Sequence, residues 1–162
     1  MSALIDPLKL TERYASGAPV PIFDIVREAG LDLSFIPLDD NISGWIEKAP
    51  GGRYKVAINL NHAPVRRRFT AAHELGHYIY HRDLLGTGSG DTRAYRSEGT
   101  QFPNAAIQQI HERQANSFAA NLLMPRKAIG VLRNQGVDSV SEMARRFEVS
   151  TDAMRIRLGL PK

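Results

Sequence analysis

Residues 68–81 read RFTAAHELGHYIYH, and the central helix and the candidate metal ligands both follow from this segment. Its apolar positions, together with the proline at Pro64, predict a buried helix that begins near Pro64 and runs to about Arg82. His73 and His77 are four residues apart, so their Cβ atoms share one helix face and lie about 5 to 6 Å apart. Both rings can therefore reach one metal ion at the usual distance of about 2.0 to 2.1 Å.

Glu74 stands inside the same motif. It follows His73 directly and is rotated about 100° from it around the helix, so its carboxylate lies beside the expected metal and does not complete the ligand set. There it can accept a proton from a water whose pKa the metal lowers to about 7, and return that proton to a leaving amine. The His-Glu-x-x-His spacing predicts metal-dependent hydrolysis of peptide bonds.

The composition excludes several other kinds of site. The 162 residues contain no cysteine, which rules out a disulfide scaffold, a cysteine-ligated zinc module, an iron–sulfur protein and a thiol enzyme. Any metal must be held by histidine, aspartate or glutamate. The five histidines of the chain are His62, His73, His77, His81 and His111.

A catalytic zinc site normally uses three protein ligands, so a third is needed. His81 lies eight residues from His73, about 12 Å along the helix axis, which is too far to share one ion. We expect His81 to support the ligands or to pack. Asp83, six residues after His77, would be the ligand if the chain doubled back, although Tyr80 stands where that reversal usually needs glycine.

The other source of a third ligand is a second helix, which the apolar pattern predicts at residues 104–124. Glu112 stands early in this helix and is the favoured third ligand. Its alternative role is an exposed helical charge. Asn116 lies one turn later on the same face, and we expect it to orient the ring of His73.

The segments around the motif predict an α+β fold. Residues 21–30 predict a short helix, and three β-like stretches between turn residues predict a small antiparallel sheet: 31–38, 43–49 and 53–60. Residues 83–103 are rich in small polar residues without periodicity and predict a long loop. The expected organisation has three parts: an N-terminal segment 1–20, a metallopeptidase core 21–125 and a C-terminal helical subdomain 126–162.

The basic charge of the chain lies in its C-terminal part. Residues 1–125 carry 13 basic and 13 acidic side chains, whereas residues 126–162 carry eight and four. This part also has the pattern of a helix-turn-helix, with Glu148 where the turn usually favours glycine. One interpretation is nucleic-acid contact through Arg155 and Arg157. The favoured one is a helical pair that caps the core with its arginines solvated, because its acidic residues would face phosphates.

Residues 68–81 and 112–125 together resemble a known family. The second stretch reads ERQANSFAANLLMP, and the two resemble the ImmA/IrrE-type metallo-endopeptidases. The resemblance covers roughly residues 21–161 and implies a zincin-like core, in which the sheet packs on the HExxH helix and on a second, glutamate-bearing helix. One departure is Gln114, where many relatives have a second acidic residue.

The resemblance also implies roles and partners. His73, His77 and Glu112 would be metal ligands and Glu74 the catalytic base, with Zn²⁺ as cofactor and Mn²⁺ or another divalent metal as an alternative. The substrate would be a helix-turn-helix repressor or antitoxin, whose cleavage derepresses stress-response, mobile-element or toxin genes.

The residue that stabilises the oxyanion stays open. A zincin needs a His, Tyr or Arg near the scissile carbonyl, and the candidates are Tyr95, Arg93, Arg96 and His62. We expect the substrate backbone to pair with whichever strand forms an exposed edge of the sheet.

Two functions fit these patterns. The favoured one is a metallo-endopeptidase that acts on a regulator protein. The alternative is a regulatory DNA- or protein-binding module with a structural or sensory metal site. Residues 1–10 have no signal-peptide pattern, and no apolar run approaches the ~18 to 20 residues of a membrane span, so we expect a cytoplasmic protein without membrane contact.

Overall fold

The computed structural model describes residues 4–85, 93–97 and 107–161, with the backbone alone at 93–97. These residues form an α+β fold. Four strands make one sheet: β1 Asp32–Ile36, β2 Ile42–Lys48, β3 Tyr54–Asn59 and β4 Arg93–Ser97. The helices are α1 Pro7–Arg13, α2 Ile22–Glu28, α3 Pro64–Tyr80, α4 Gln109–Leu123, α5 Arg126–Asn134, α6 Val140–Phe147 and α7 Thr151–Arg157, with 3-10 turns at Pro50–Gly52 and Arg82–Leu84. In this described part of the chain no helix has the length and apolar character to cross a membrane.

The sheet is mixed, with the strand order β1-β3-β2-β4. β1 runs parallel to β3, whereas β2 is antiparallel to both β3 and β4. The prediction of an antiparallel sheet is therefore wrong for β1. The turn residues after β1 do reverse the chain, but β3 comes to lie between β1 and β2, so the two strands that are adjacent in sequence are not adjacent in space.

Asn59 holds this arrangement in place. It is fully buried at the end of β3. Its amide nitrogen donates to the carbonyl oxygens of Leu38, Asp39 and Ile42 at 2.8 to 3.3 Å, and its Oδ1 accepts from the backbone amides of Leu38 and Asn61. The β1–β2 connection is thereby tied over the end of the strand that separates β1 from β2, and its backbone groups find partners away from water.

The prediction of a loop over residues 83–103 is wrong at β4. This strand pairs with β2, with Tyr95 opposite Trp45 and Arg93 opposite Glu47. The sequence of β4 shows no apolar–polar alternation, so no local pattern predicts a strand there. The strand forms by pairing with the backbone groups of β2, and β-structure depends strongly on such neighbours. The rest of the predicted loop between 86 and 103 lies outside the described residues.

α3 packs against β2 and β3 on one side and against α2 and α4 on others. The approach of β2 to α3 depends on Gly44. A Cβ at this position would overlap the carbonyl oxygen of Ala57 and lie 3.0 Å from Thr70 Cγ2 of α3. The HExxH segment is thereby seated on the sheet, and Ala72 and Leu75 are fully buried there.

The C-terminal helices α6 and α7 are joined by a short turn. Each begins at a serine cap, with Ser139 Oγ accepting from the Glu142 amide and Ser150 Oγ from the Ala153 amide. Glu148 ends α6 in the left-handed region with φ of 54°, the position where the sequence pattern favours glycine.

Arg68, in the first half of α3, connects this turn to the rest of the molecule. It is 9% exposed and donates from Nη2 to the carbonyl oxygen of Val20 at 2.7 Å and from Nε to that of Glu148 at 3.3 Å. Burial lowers the pKa of Arg68, and the Glu148 carboxylate opposes this shift. One buried arginine thus joins the segment before α2 to the α6–α7 turn.

Candidate metal centre

The site lies where α3 and α4 pack at close range. A Cβ at Gly76 of α3 would lie 3.1 Å from Ala115 Cα and 3.2 Å from Phe118 Cδ2, so only glycine permits this separation without a shift. Gly76 is one residue before His77, and Ala115 is three residues after Glu112. The glycine therefore sets the distance over which a carboxylate on α4 can meet the imidazoles on α3.

Three side chains converge across this contact. His73 Nε2 lies 2.8 Å from Glu112 Oε2, His77 Nε2 lies 3.1 Å from Glu112 Oε1, and the two Nε2 atoms are 3.1 Å apart. Both histidines are fully buried, and the Glu112 side chain is 31% exposed. The three groups therefore form a pocket of ligands with one side toward solvent.

The spacing of these atoms fits a metal ion. A tetrahedral ion with bonds of about 2.0 to 2.1 Å places its ligand atoms about 3.3 to 3.4 Å apart, and the separations of 2.8 to 3.1 Å found here are shorter than this by roughly 0.2 to 0.6 Å. His73, His77 and Glu112 form a group that could hold a metal ion. Two imidazoles and one carboxylate are also the donor types of a catalytic zinc site with an open position.

Asn116 determines which nitrogen of His73 faces the metal position. Asn116 Oδ1 lies 2.8 Å from His73 Nδ1. An amide oxygen can only accept, so Nδ1 carries the proton, and the neutral ring presents a lone pair at Nε2. This is the arrangement that a metal-ligating histidine needs.

A longer chain of bonds does the same for His77. His81 Nε2 lies 2.7 Å from Gln114 Oε1, and His81 Nδ1 lies 2.9 Å from His77 Nδ1. His81 must donate to the amide oxygen, so its Nδ1 accepts from His77, whose Nε2 is left with a lone pair. Burial lowers the pKa of His81, with the Gln114 hydrogen bond acting in the opposite direction, and a lowered pKa favours the neutral ring that this chain requires.

Sequence reasoning missed the part that Gln114 plays, treating it only as a departure from the family pattern. The sequence offers one signal, which is the spacing of four residues in each helix. It puts His81 on the same face as His77, and Gln114 on the same face as Phe118, which packs on α3. Both patterns are local, but the contact between His81 and Gln114 depends on how the two helices pack.

The surroundings of Glu112 favour its charged form. Burial by itself raises the pKa of Glu112, but the hydrogen bonds and positive charge of His73 and His77 outweigh it and bring the pKa to about 2. That attraction requires a proton on Nε2; when the two rings are neutral and present lone pairs there, as metal ligands do, the carboxylate and the rings repel one another at 2.8 to 3.1 Å. A cation between the three groups removes that repulsion for all of them at once.

Glu74 is also fully buried on α3. Its position directly after His73 rotates it about 100° from that ligand, so it flanks the converging atoms without joining them. The Glu74 carboxylate is therefore outside the group of residues that could hold a metal ion.

The other sequence candidates lie elsewhere or outside the described side chains. Asp83 is exposed in the 3-10 turn after α3 and is not in the group of donors. His62 precedes α3, about 13 Å or more along the axis from His73, and its Nε2 lies 2.8 Å from the Asp40 carbonyl oxygen. Tyr95 lies on β4, where the backbone alone is described, and so do two further candidates: Arg93 and Arg96.

His111 lies beside the histidine chain and outside the donor group. Its Nδ1 accepts from the backbone amide of Gln108 at 2.9 Å, which caps the start of α4. Its ring lies 4.8 Å from that of His81, measured between centroids. His111 therefore helps to begin the helix that carries Glu112.

Comparison with known families assigns the chain. Residues 26–159 match the peptidase M78 family, described as the IrrE N-terminal-like domain. The chain belongs to this family. The ImmA/IrrE resemblance that the sequence motifs predict is thereby confirmed. Membership implies a divalent metal, and His73, His77 and Glu112 are residues of this peptidase M78 chain that could bind one.

Two curated relatives share the peptidase M78 region. The protein described as radiation response metalloprotease IrrE of Deinococcus radiodurans is 34% identical over 128 residues, which are 76% of this chain and 35% of that protein. Its namesake in Deinococcus deserti is 29% identical over 124 residues, 75% of this chain and 40% of that protein. The chain thus spans little more than a third of the length of these relatives.

A solved structure shares the fold. It is described as a Mycobacterium tuberculosis transcriptional regulator, and it superposes with a TM-score of 0.61 and 18% sequence identity. The match covers 95% of this chain and 46% of that chain. It therefore shows that this arrangement of sheet and helices also occurs as part of a longer protein.

Proposed function

We propose that this chain is a zinc-dependent endopeptidase. The observation that carries the proposal is the convergence of His73, His77 and Glu112, next to the buried Glu74. Membership of a peptidase family and relatives described as metalloproteases support it. Zinc is favoured because two imidazoles and a carboxylate match its catalytic sites, and Mn²⁺ or another divalent metal is the alternative.

Each residue of the site has one role in this proposal. The metal, when bound, would polarise the scissile carbonyl and lower the pKa of the attacking water. His73 and His77 would hold it through Nε2, and Glu112 through its carboxylate. Glu74 would accept the proton of the water at its carboxylate and return it to the leaving amine. Asn116 and the His81–Gln114 pair would keep the two rings in the tautomer that binds metal.

Substrate binding is proposed at β4. Among the described strands β4 has one neighbour, β2, so it is an edge of the sheet. An extended peptide can add to such an edge through main-chain hydrogen bonds. Tyr95 on this strand is the first candidate for the group that stabilises the oxyanion.

The proposed substrate is a helix-turn-helix repressor or antitoxin, whose cleavage would derepress stress-response, mobile-element or toxin genes. Support comes from the relatives in Deinococcus, whose description joins a metalloprotease to a radiation response. A regulator protein is a substrate through which one cleavage changes a cellular response.

The C-terminal residues 126–162 are proposed as a supporting subdomain of the 21–125 core. Several of their arginines already have partners. Arg145 Nε and Arg146 Nε donate to the Glu142 carboxylate at 3.1 and 3.0 Å, and Arg157 Nε donates to the carbonyl oxygen of Met124 at 2.8 Å. The Glu142 carboxylate offsets part of the positive charge of this subdomain, which favours the peptidase over a DNA-binding module.

The test is cleavage of the helix-turn-helix regulator encoded beside this chain, by the purified chain loaded with Zn²⁺ or Mn²⁺. We expect one or a few defined fragments, identified by mass spectrometry, and loss of cleavage on addition of a chelator.

The matched control is Glu74→Gln, which keeps the size of the side chain and removes the base. A general base contributes about 10² to 10⁴ in rate, so this variant should lose that factor while it still binds the metal. Equal cleavage by both proteins, or cleavage that survives metal removal, would reject the mechanism.

A further inference from the structure

A groove of about 460 Å³ lies between α4 and α7, beside the candidate metal centre. We call it the α4–α7 groove. Asn116, whose Oδ1 binds His73 Nδ1, lines it on α4, and Phe69 lines it on α3. Its volume is in the range of clefts that bind ligands. A peptide segment bound in the groove would therefore contact Asn116, which is hydrogen-bonded to the proposed metal ligand His73.

One part of the wall of this groove is apolar. Phe69, Ala120 and Met124 contribute to it from the core side, and Ile156 contributes from α7. Ile156 is 65% exposed, which is a high fraction for an isoleucine in a concave surface. An apolar side chain placed here would bury Ile156 and gain from its removal from water.

The other part of the wall is positive. Arg157 is anchored by two hydrogen bonds, from Nε to the Met124 carbonyl oxygen at 2.8 Å and from Nη1 to Asn121 Oδ1 at 2.7 Å. These bonds use two of the five N–H donors of its guanidinium and fix its position. Arg126 also lines the groove. Burial and then the charge of Arg126 lower the pKa of Arg157, as expected for two cations held close together.

No carboxylate among the described residues lines this groove. A second cavity of about 630 Å³ continues past Arg126 and Arg157 and is lined by Arg113 and Lys127 as well, with Glu12 as its one acidic lining residue in the described part of the chain. The positive surface therefore extends beyond the groove and lacks an internal counter-charge of equal size.

We propose that the α4–α7 groove is a substrate exosite that binds an apolar side chain adjacent to carboxylates in the protein to be cleaved. The inference rests on the proposed endopeptidase function and names a chemical requirement of its substrate. The anchored Arg157 and the exposed Arg126 pair with the carboxylates. Ile156 and Phe69 cover the apolar side chain. Nucleic acid would use the two arginines but leave this apolar wall without a partner.

Fluorescence anisotropy with short labelled peptides tests the exosite without requiring cleavage. The probes share one scaffold and carry Leu-Leu-Glu-Glu, Leu-Leu-Gln-Gln or Ser-Ser-Glu-Glu at the centre, and the protein is the zinc-loaded Glu74→Gln variant. We expect the first probe to bind at least about tenfold more tightly than either of the others, since it alone matches both walls. Arg157→Gln and Arg126→Gln should each remove most of that preference. Arg155→Gln, on the exposed side of α7, should leave it unchanged.

Equal affinity for the three probes, or a preference that survives both Arg157→Gln and Arg126→Gln, overturns the proposal. A DNA duplex that binds more tightly than the peptides, and loses affinity in the same two variants, assigns the surface to nucleic acid and also overturns it. Arg126 is exposed, so the Arg126→Gln variant tests the groove even if Arg157→Gln is unstable. Peptide preference without any cleavage by the wild type would reject the peptidase and leave the groove assignment standing.

Discussion

Glu112 and Glu142 both have a pKa of about 2, in two very different regions of the molecule. Around Glu112 burial raises the pKa, and contacts with His73 and His77 on another helix outweigh it. Around Glu142, which is at the surface, hydrogen bonds from Arg145 and Arg146 lower the pKa. The first set of partners is 35 or more residues away in sequence, and the second is three or four residues away.

A lowered pKa therefore does not by itself identify a functional carboxylate. Glu142 can form its contacts as soon as α6 is helical, because residues three and four apart are neighbours on a helix surface. Glu112 forms its contacts only if α3 and α4 pack at the separation that Gly76 permits. The α3–α4 site should therefore respond strongly to changes in packing and ligand identity, whereas the α6 cluster should not.

The sharpest contrast is expected for metal affinity. Glu112→Gln should weaken Zn²⁺ binding by at least about a hundredfold, since it removes a charged ligand that faces two lone pairs. Glu142→Gln and Asp83→Ala should leave the affinity unchanged. Competition against a chromophoric chelator measures all three variants. Comparable losses for Glu112→Gln and Asp83→Ala would overturn the choice of third ligand.

The bonds behind the ligands are expected to contribute next. Asn116→Ala and Gln114→Ala should each weaken Zn²⁺ binding by roughly 10- to 100-fold, because they release the tautomers of His73 and of the His77–His81 chain. Gln109→Ala, an exposed change on the same helix, is the control. If both variants bind zinc like the control, the hydrogen bonds to the rings have no part in setting the site.

Packing between the helices can be tested with two glycines. Gly76→Ala should lower the free energy of unfolding by about 1 to 3 kcal/mol through the clash with Ala115 and Phe118, less up to about 1 kcal/mol regained from helix propensity. Gly130→Ala on α5, where a Cβ meets nothing within 4 Å, should raise it by about 0.4 to 1 kcal/mol. Urea denaturation followed by circular dichroism measures both changes.

The two glycine variants should therefore differ in sign. Gly76→Ala should also weaken zinc binding, because α4 must move away from α3. A Gly76→Ala protein as stable as the wild type with unchanged zinc affinity would show that the helices can adjust without moving Glu112.

The smallest effect is expected at Glu142. Its pKa is lowered from 4.5 to about 2 on folding, so its stabilisation is present above about pH 4.5 and is lost as the pH falls toward 2. The contacts of Glu142 are exposed, so Glu142→Gln should reduce the melting temperature at pH 7 by less than Gly76→Ala does. The difference in melting temperature between Glu142→Gln and the wild type should shrink on acidification. Melting curves between pH 3 and 7 check this, and a gap that widens toward pH 3 would contradict the sign.

Prediction from the sequence succeeded where the signal was local. The pattern of residues 68–81 predicted α3 to within about two residues, and the β-like stretches predicted β1, β2 and β3. It did not predict that β1 and β3 pair in parallel or that β4 exists, because both depend on which backbone groups are available from a distant strand. Asn59, which ties the β1–β2 connection over β3, carries no pattern that shows this role before folding.

The candidate metal site also has features that follow from local spacing and features that depend on packing. Residue spacing alone places His73 and His77 on one helix face with Glu74 beside them, because these positions follow from helical geometry. The packing of α3 against α4 brings Glu112 to 2.8 and 3.1 Å from the two rings and places Gln114 at the end of the hydrogen-bond chain behind His77. The physical reason is that contacts across two helices depend on their separation, which is set here by the missing side chain of Gly76 against Ala115.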